Sequence, residues 1–112
     1  MSQITTHILD TSKGSPAKGV NVVLYRQHGD SWNEAGKGMT NEDGRISDLL
    51  MKESELASGI YKLHFDTKKY FDALSVESFY PFVEIVFEIK SDRHYHVPLL
   101  LNPFGYSTYR GS

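Results

Sequence analysis

Short runs of alternating apolar and polar residues, separated by turn-forming residues, dominate this chain. In residues 4–9 (ITTHIL), Ile4, Thr6 and Ile8 share one face of a strand, and Thr5, His7 and Leu9 share the other. Residues 10–19 are rich in Gly, Ser, Pro and Asp and read as a loop. Residues 20–27 form a β-branched strand with Val20, Val22 and Leu24 on one face. A turn at 28–31 leads to a weaker strand from Trp32 to about Met39, broken by Gly36 and Gly38. The run TNEDG at 40–44 ends in Asp-Gly, a turn signal, and Arg45-Ile46 starts a very short strand after it. Residues 48–58 read mostly as loop. In residues 60–65, Ile60, Lys62 and His64 oppose Tyr61, Leu63 and Phe65.

Thr67 is placed to cap the one predicted helix, 68–74, where Tyr70, Phe71 and Leu74 recur at helical spacing. Ser78 and Pro81 belong to a connecting loop, and residues 82–89 (FVEIVFEI) are the clearest strand. Ser91-Asp92 turns the chain into a final hairpin of strands 93–101 and 104–109, interrupted by Asn102-Pro103 and Gly105. Seven or eight short strands with one brief helix define an all-β antiparallel sandwich, with residues 1–112 as a single domain. Pro98 stands inside a predicted strand, which requires a bulge or a position where no neighbour needs its N–H. The strand ending near Ile89 and the final strand are candidate edges for pairing with a second copy, so an oligomer is expected.

Composition narrows the function classes. Twelve Lys and Arg stand against 14 Asp and Glu, and the basic residues are scattered, so the basic stripe of a nucleic-acid binder is missing. No apolar run is long enough to span a membrane, and residues 1–7 lack the pattern of a secretory signal, so a soluble, cytoplasmic protein is expected. The chain has no cysteine, which excludes disulfides and thiolate chemistry.

The chain end is aromatic and apolar almost to its last residue, where a polar tail would be ordinary. A strand there delivers Tyr109, Arg110, Gly111, Ser112 and the carboxylate to a fixed place; the competing reading is a fraying end with Arg110 in solvent. His94 and His96, two apart, point to one strand face, and His7 lies on a strand otherwise made of Ile, Leu and Thr. Histidine titrates near neutral pH and suits proton transfer. His28 falls in a turn, and His64 on a surface or edge. No phosphate-binding glycine loop and no Gly-x-Ser-x-Gly elbow is present. Two chemistries remain open. One is a zinc site from His7, His94 and His96. The simpler one is metal-free, with histidine as general base and arginine as electrostatic clamp.

These residues resemble a known family. The segments HILD at 7–10, GSPA at 14–17, Thr40 to Arg45, Gly59-Ile-Tyr61, Phe79-Tyr-Pro81, HYHVPLLL at 94–101 and YSTYRGS at 106–112 together resemble the transthyretin-like proteins and, within them, the 5-hydroxyisourate hydrolases. The terminal Tyr-Arg-Gly-Ser is what separates those hydrolases from transthyretin proper. The resemblance implies an eight-stranded sandwich with one short helix. It also implies a homotetramer, a dimer of dimers, with sites in the channel between dimers. It implies hydrolysis of 5-hydroxyisourate in urate degradation, without a cofactor or metal. The implied catalytic residues are His7, Arg45, His96 and Ser112, and the implied substrate contacts add Tyr109, Arg110 and Gly111. A non-catalytic carrier of a small aromatic ligand is the alternative.

Overall fold

In a computed structural model, which describes residues 3–46, 48–49, 57–90 and 93–111, nine strands and one helix build two stacked sheets. They run in chain order β1 (Ile4–Asp10), β2 (Ser15–Pro16), β3 (Asn21–His28), β4 (Ser31–Met39), β5 (Arg45–Ile46), β6 (Gly59–Phe65), α1 (Thr67–Ala73), β7 (Val83–Ile89), β8 (Tyr95–Asn102) and β9 (Gly105–Thr108). One sheet has the order β2-β1-β8-β9, with β5 also paired to β1; the other is β4-β3-β6-β7. Neighbours are antiparallel except β1 and β8, which run parallel with Ile4 opposite Tyr95 and Asp10 opposite Leu101.

The alternation that predicts the strands also decides which side faces the core. Ile4 and Ile8 of β1 and Val97, Leu99 and Leu101 of β8 are buried against Val22 and Leu24 of β3, and Tyr61, Leu63 and Phe65 of β6. A side chain of that size contributes roughly 1.5–3 kcal/mol when fully buried, so these two layers hold the sandwich together. Tyr70 and Phe71 of α1 join the same core. Inside it, the Asp10 carboxylate accepts hydrogen bonds from Tyr70 Oη at 2.8 Å and Ser12 N at 3.0 Å. Burial together with this carboxylate raises the Tyr70 pKa.

Four expectations need revision. Residues 15–16, read as loop, form β2 against Leu9 and Asp10. Gly36 and Gly38 do not break β4, because its ladder to β3 continues past both with a register shift at Leu24/Tyr25. Thr67 does not cap the helix; it is its first residue, and Asp66 precedes it without a side-chain cap. Asp66 is still tied to the sheet there, its N–H donating to Asn21 O at 3.0 Å. Last, Leu74 lies beyond the helix, which ends at Ala73. Residues 50–56 of the predicted 48–58 loop, and the predicted turn at Ser91-Asp92, lie outside the described residues.

Pro98 is accommodated without a bulge in the β1–β8 ladder, where it faces His7. On its other side, β9 ends at Thr108 opposite Leu99, and pairing resumes only at a single bridge between His96 and Gly111. The ladder is interrupted where proline has no N–H to give, and Thr108 Oγ1 donates to the Pro98 carbonyl at 2.6 Å across the gap. The chain end is therefore held against β8, as expected for a final strand. Both β7 and β9 are sheet edges, and Val86 and Tyr106 on them are 58 % and 41 % exposed. Among the described residues no helix is long and apolar enough to cross a membrane.

Candidate active site

The core takes one face of β1, and the outward face carries Thr5, His7 and Leu9. Two neighbours add the remaining groups. On one side β5 sets Arg45 opposite His7; on the other, β8 sets His96 opposite Thr5 and Pro98 opposite His7. Paired residues in a sheet point to the same side, so His7, Arg45 and His96 share one outward face although they lie up to 89 positions apart in sequence.

Arg45 owes its place to the turn before it. Asn41 Oδ1 accepts hydrogen bonds from the N–H groups of Asp43 at 2.9 Å and Arg45 at 3.0 Å, an Asx-type turn. Gly44 completes it with φ +72°, and its carbonyl accepts from Ile8 N at 2.8 Å, which fastens the turn beside β1.

Electrostatics ties the three groups together. The His96 pKa is lowered, first by burial and then by the charges of Arg45, His7 and His94, against a hydrogen bond to the Thr5 backbone that raises it. The His7 pKa is lowered by burial and by Arg45, against the backbone and charge of Asp43. Both imidazoles are therefore neutral at neutral pH and able to accept a proton, beside a guanidinium that stays charged.

The histidine pair at 94 and 96 does share a face, and a residue passed over in the sequence lies between the two rings. Thr5 Oγ1 is 2.9 Å from His94 Nε2 and 2.8 Å from His96 Nδ1. The alternation of β1 placed Thr5 on the His7 face, but only the parallel register with β8 shows that it meets His96. Among the described residues no three His, Cys, Asp or Glu side chains are grouped as a metal site would need, so His7, His94 and His96 do not form the ligand set of the zinc reading.

The chain end reaches the same place by its backbone. Gly111 N donates to His96 O at 2.8 Å. Tyr109 and Arg110 come together with His96. They line a cavity of about 680 Å³ with His96, Tyr95 and the β7 residues Ile85 to Glu88. The Arg110 guanidinium lies 4.8 Å from the Tyr95 ring centre. Ser112 lies outside the described residues. His28, at the end of β3, is exposed, and His64 faces outward on the other sheet, its Nδ1 2.9 Å from Glu84 Oε2. Neither joins the site.

A two-sheet sandwich with one short helix is the architecture this chain shares with solved transthyretin and 5-hydroxyisourate hydrolase structures. The chain belongs to the HIUase/Transthyretin family, whose model matches residues 4–111. It is 48 % identical over 114 residues to the 5-hydroxyisourate hydrolase of Mus musculus, covering 99 % of this chain and 96 % of that protein. The 5-hydroxyisourate hydrolase of Klebsiella pneumoniae superposes with a TM-score of 0.85 at 38 % identity, covering 97 % of this chain and 98 % of that one. Sea bream transthyretin, solved in complex with thyroxine, superposes at 0.90 with 33 % identity over 97 % and 94 %.

Proposed function

We infer that this protein hydrolyses 5-hydroxyisourate, opening a ring amide to give 2-oxo-4-hydroxy-4-carboxy-5-ureidoimidazoline in urate degradation. The observation that carries the reading is the register that sets His7, Arg45 and His96 on one sheet face, in a chain whose relatives include 5-hydroxyisourate hydrolases. A carrier has no need of a base beside a cation; an amide hydrolase needs both.

The chemistry follows from the groups. One histidine takes a proton from water as its oxygen bonds to the ring carbonyl carbon, and the other orients that water. Arg45 offsets the negative charge that develops on the carbonyl oxygen. The ring C–N bond then breaks, the leaving nitrogen receives a proton from a histidine, and the new carboxyl group remains on the product. Tyr109 and Ser112 hydrogen-bond the flat polar ring, Gly111 packs on the His96 imidazole and holds it in place, and Arg110 anchors the tail on Tyr95. General acid–base help of this kind is worth on the order of 100- to 10,000-fold.

The proposed working form is a homotetramer, a dimer of dimers. The apolar edges of β7 and β9 suit pairing with a second copy. The open histidine–arginine face suits enclosure in a channel between two such dimers. The proposed compartment is the cytoplasm, since a chain without cysteine gains nothing from an oxidising one. Single His96→Ala and Arg45→Ala variants test the assignment. Each is expected to keep its fold by circular dichroism and lose at least about 100-fold in turnover. Folded variants with normal turnover would refute the assigned roles.

A further inference from the structure

The reading of His96 as a proton-transfer group leaves open what sets its tautomer, and the geometry around Thr5 answers that. We propose that Thr5 is a positioning residue that joins His96 to His94 in a two-station proton relay, holding His96 Nε2 ready to accept a proton and passing charge outward. This rests on the hydrolase reading above.

Thr5 is only 9 % exposed, and its hydroxyl lies within hydrogen-bond distance of both rings, at 2.8 Å from His96 Nδ1 and 2.9 Å from His94 Nε2. A hydroxyl has a single proton to donate. Two wirings satisfy both contacts. In the first, His96 Nδ1–H donates to Thr5 Oγ1, and the Thr5 hydroxyl donates to His94 Nε2. His96 Nε2 then carries a free lone pair, as a base requires. In the second, His94 Nε2–H donates to Thr5 Oγ1, the Thr5 proton goes to His96 Nδ1, and His96 Nε2 carries a proton, as an acid requires.

The two wirings are linked by one proton-balanced step. In the first, His96 accepts a proton at Nε2 and becomes an imidazolium. Its Nδ1 proton then moves to Thr5 Oγ1 while the Thr5 proton moves to His94 Nε2. His96 is left neutral with Nε2–H, and the charge sits on His94. Three charged or titratable groups act on His96: Arg45, His7 and His94. The Arg45 guanidinium repels a cation held at His96, while His94 is exposed to solvent. The relay therefore moves charge away from Arg45 toward water, and resets His96 as a donor for the leaving nitrogen. Val97 O accepts from Thr6 Oγ1 at 2.6 Å, so the adjacent threonine is committed to the core side and cannot substitute.

The test uses Thr5→Val, which keeps the shape and removes the hydroxyl, Thr5→Ser, which keeps the hydroxyl, and His94→Gln. Long-range nitrogen–proton NMR on the intact protein reads the tautomers of His94 and His96 without reference to activity. Expected are linked titrations of the two rings in wild type and in Thr5→Val the loss of both that linkage and the fixed His96 tautomer. Turnover of 5-hydroxyisourate should fall about 10- to 100-fold in kcat for Thr5→Val and His94→Gln, with little change in KM. Thr5→Ser should restore both readouts. A folded Thr5→Val with an unchanged His96 tautomer and unchanged kcat would overturn the relay. Wild-type protein with no activity would instead overturn the hydrolase reading, and the spectra alone would then decide whether Thr5 links the rings.

Discussion

Gly111 lies so close to the His96 ring that a methyl group on its α-carbon would stand 2.5 Å from Cδ2 and 3.2 Å from Cγ. Its N–H simultaneously holds the His96 carbonyl at 2.8 Å. The chain end is thus a wall for the ring and a strap for the strand beneath it. Gly111→Ala must push the imidazole out of place. The expected result is a loss of about 100-fold in kcat/KM, the scale of a 1 Å misplacement, with a thermal midpoint close to wild type. Steady-state kinetics and a melting curve on the same sample check both parts.

Removing the last four residues, 109–112, separates function from folding. Among the described residues the tail is held to β8, through Gly111 N on His96 O and Arg110 on Tyr95, and none of residues 109–111 belongs to the buried core. The truncated protein should keep a cooperative unfolding transition and lose its turnover. Failure to fold would return the terminal motif to a structural role.

Gly44 and Arg45 are adjacent but should fail in different ways. A side chain at position 44 meets φ +72° and the Ile8 carbonyl, so Gly44→Ala should lower stability by about 1–3 kcal/mol in urea unfolding. Arg45 is exposed, so Arg45→Gln should stay within about 0.5 kcal/mol of wild type and lose activity instead.

Acid should affect rate and stability with a definite sign. His7 and His96 have pKa values below the ordinary 6.5, so the base form survives to lower pH and the acid limb of kcat/KM should inflect below 6.5. In the unfolded chain the same histidines bind protons near 6.5. Stability from this source is therefore intact above 6.5 and falls as pH drops through 6.5 toward the depressed folded values. A His7→Asn/His96→Asn double variant should show a flatter stability profile across that window by denaturant titration. An unchanged profile would mean that the two rings are not held neutral by the fold.

Assembly can be tested at the edges. Val86 on β7 and Tyr106 on β9 are exposed in the single chain, so Val86→Lys/Tyr106→Lys should leave the fold intact and block edge pairing. Sedimentation should give a mass of several chains for wild type and a smaller mass for the variant. A wild-type mass of one chain would contradict the tetramer.

Much of this was legible before any coordinates. Alternation sorts Ile4, Thr6 and Ile8 from Thr5, His7 and Leu9, and the same rule separates the two faces of 60–65 and puts His94 and His96 together; the structure makes the Ile4 face the inner one. The Asp-Gly signal at 43–44 locates the turn that presents Arg45. What alternation does not carry is register between distant strands. Thr5 meets His96 only because β1 and β8 run parallel in one register, and no local pattern states that. The helix start is one residue earlier than the sequence reading places it: Asp66, itself a favoured N-cap type, takes the cap position, and its N–H is fixed by Asn21 of β3. Pro98 was read correctly as a ladder problem, but which neighbour lacked a partner depended on where β9 stops.

Hydrolysis at the His7, Arg45 and His96 face can be read directly from substrate decay. The most direct test follows the ultraviolet absorbance of 5-hydroxyisourate, freshly made from urate with urate oxidase, with and without the protein and with His96→Ala as control. The expected result is protein-dependent acceleration of decay that persists with a chelator and is lost in His96→Ala. Decay at the spontaneous rate in the presence of the folded, assembled protein would contradict it.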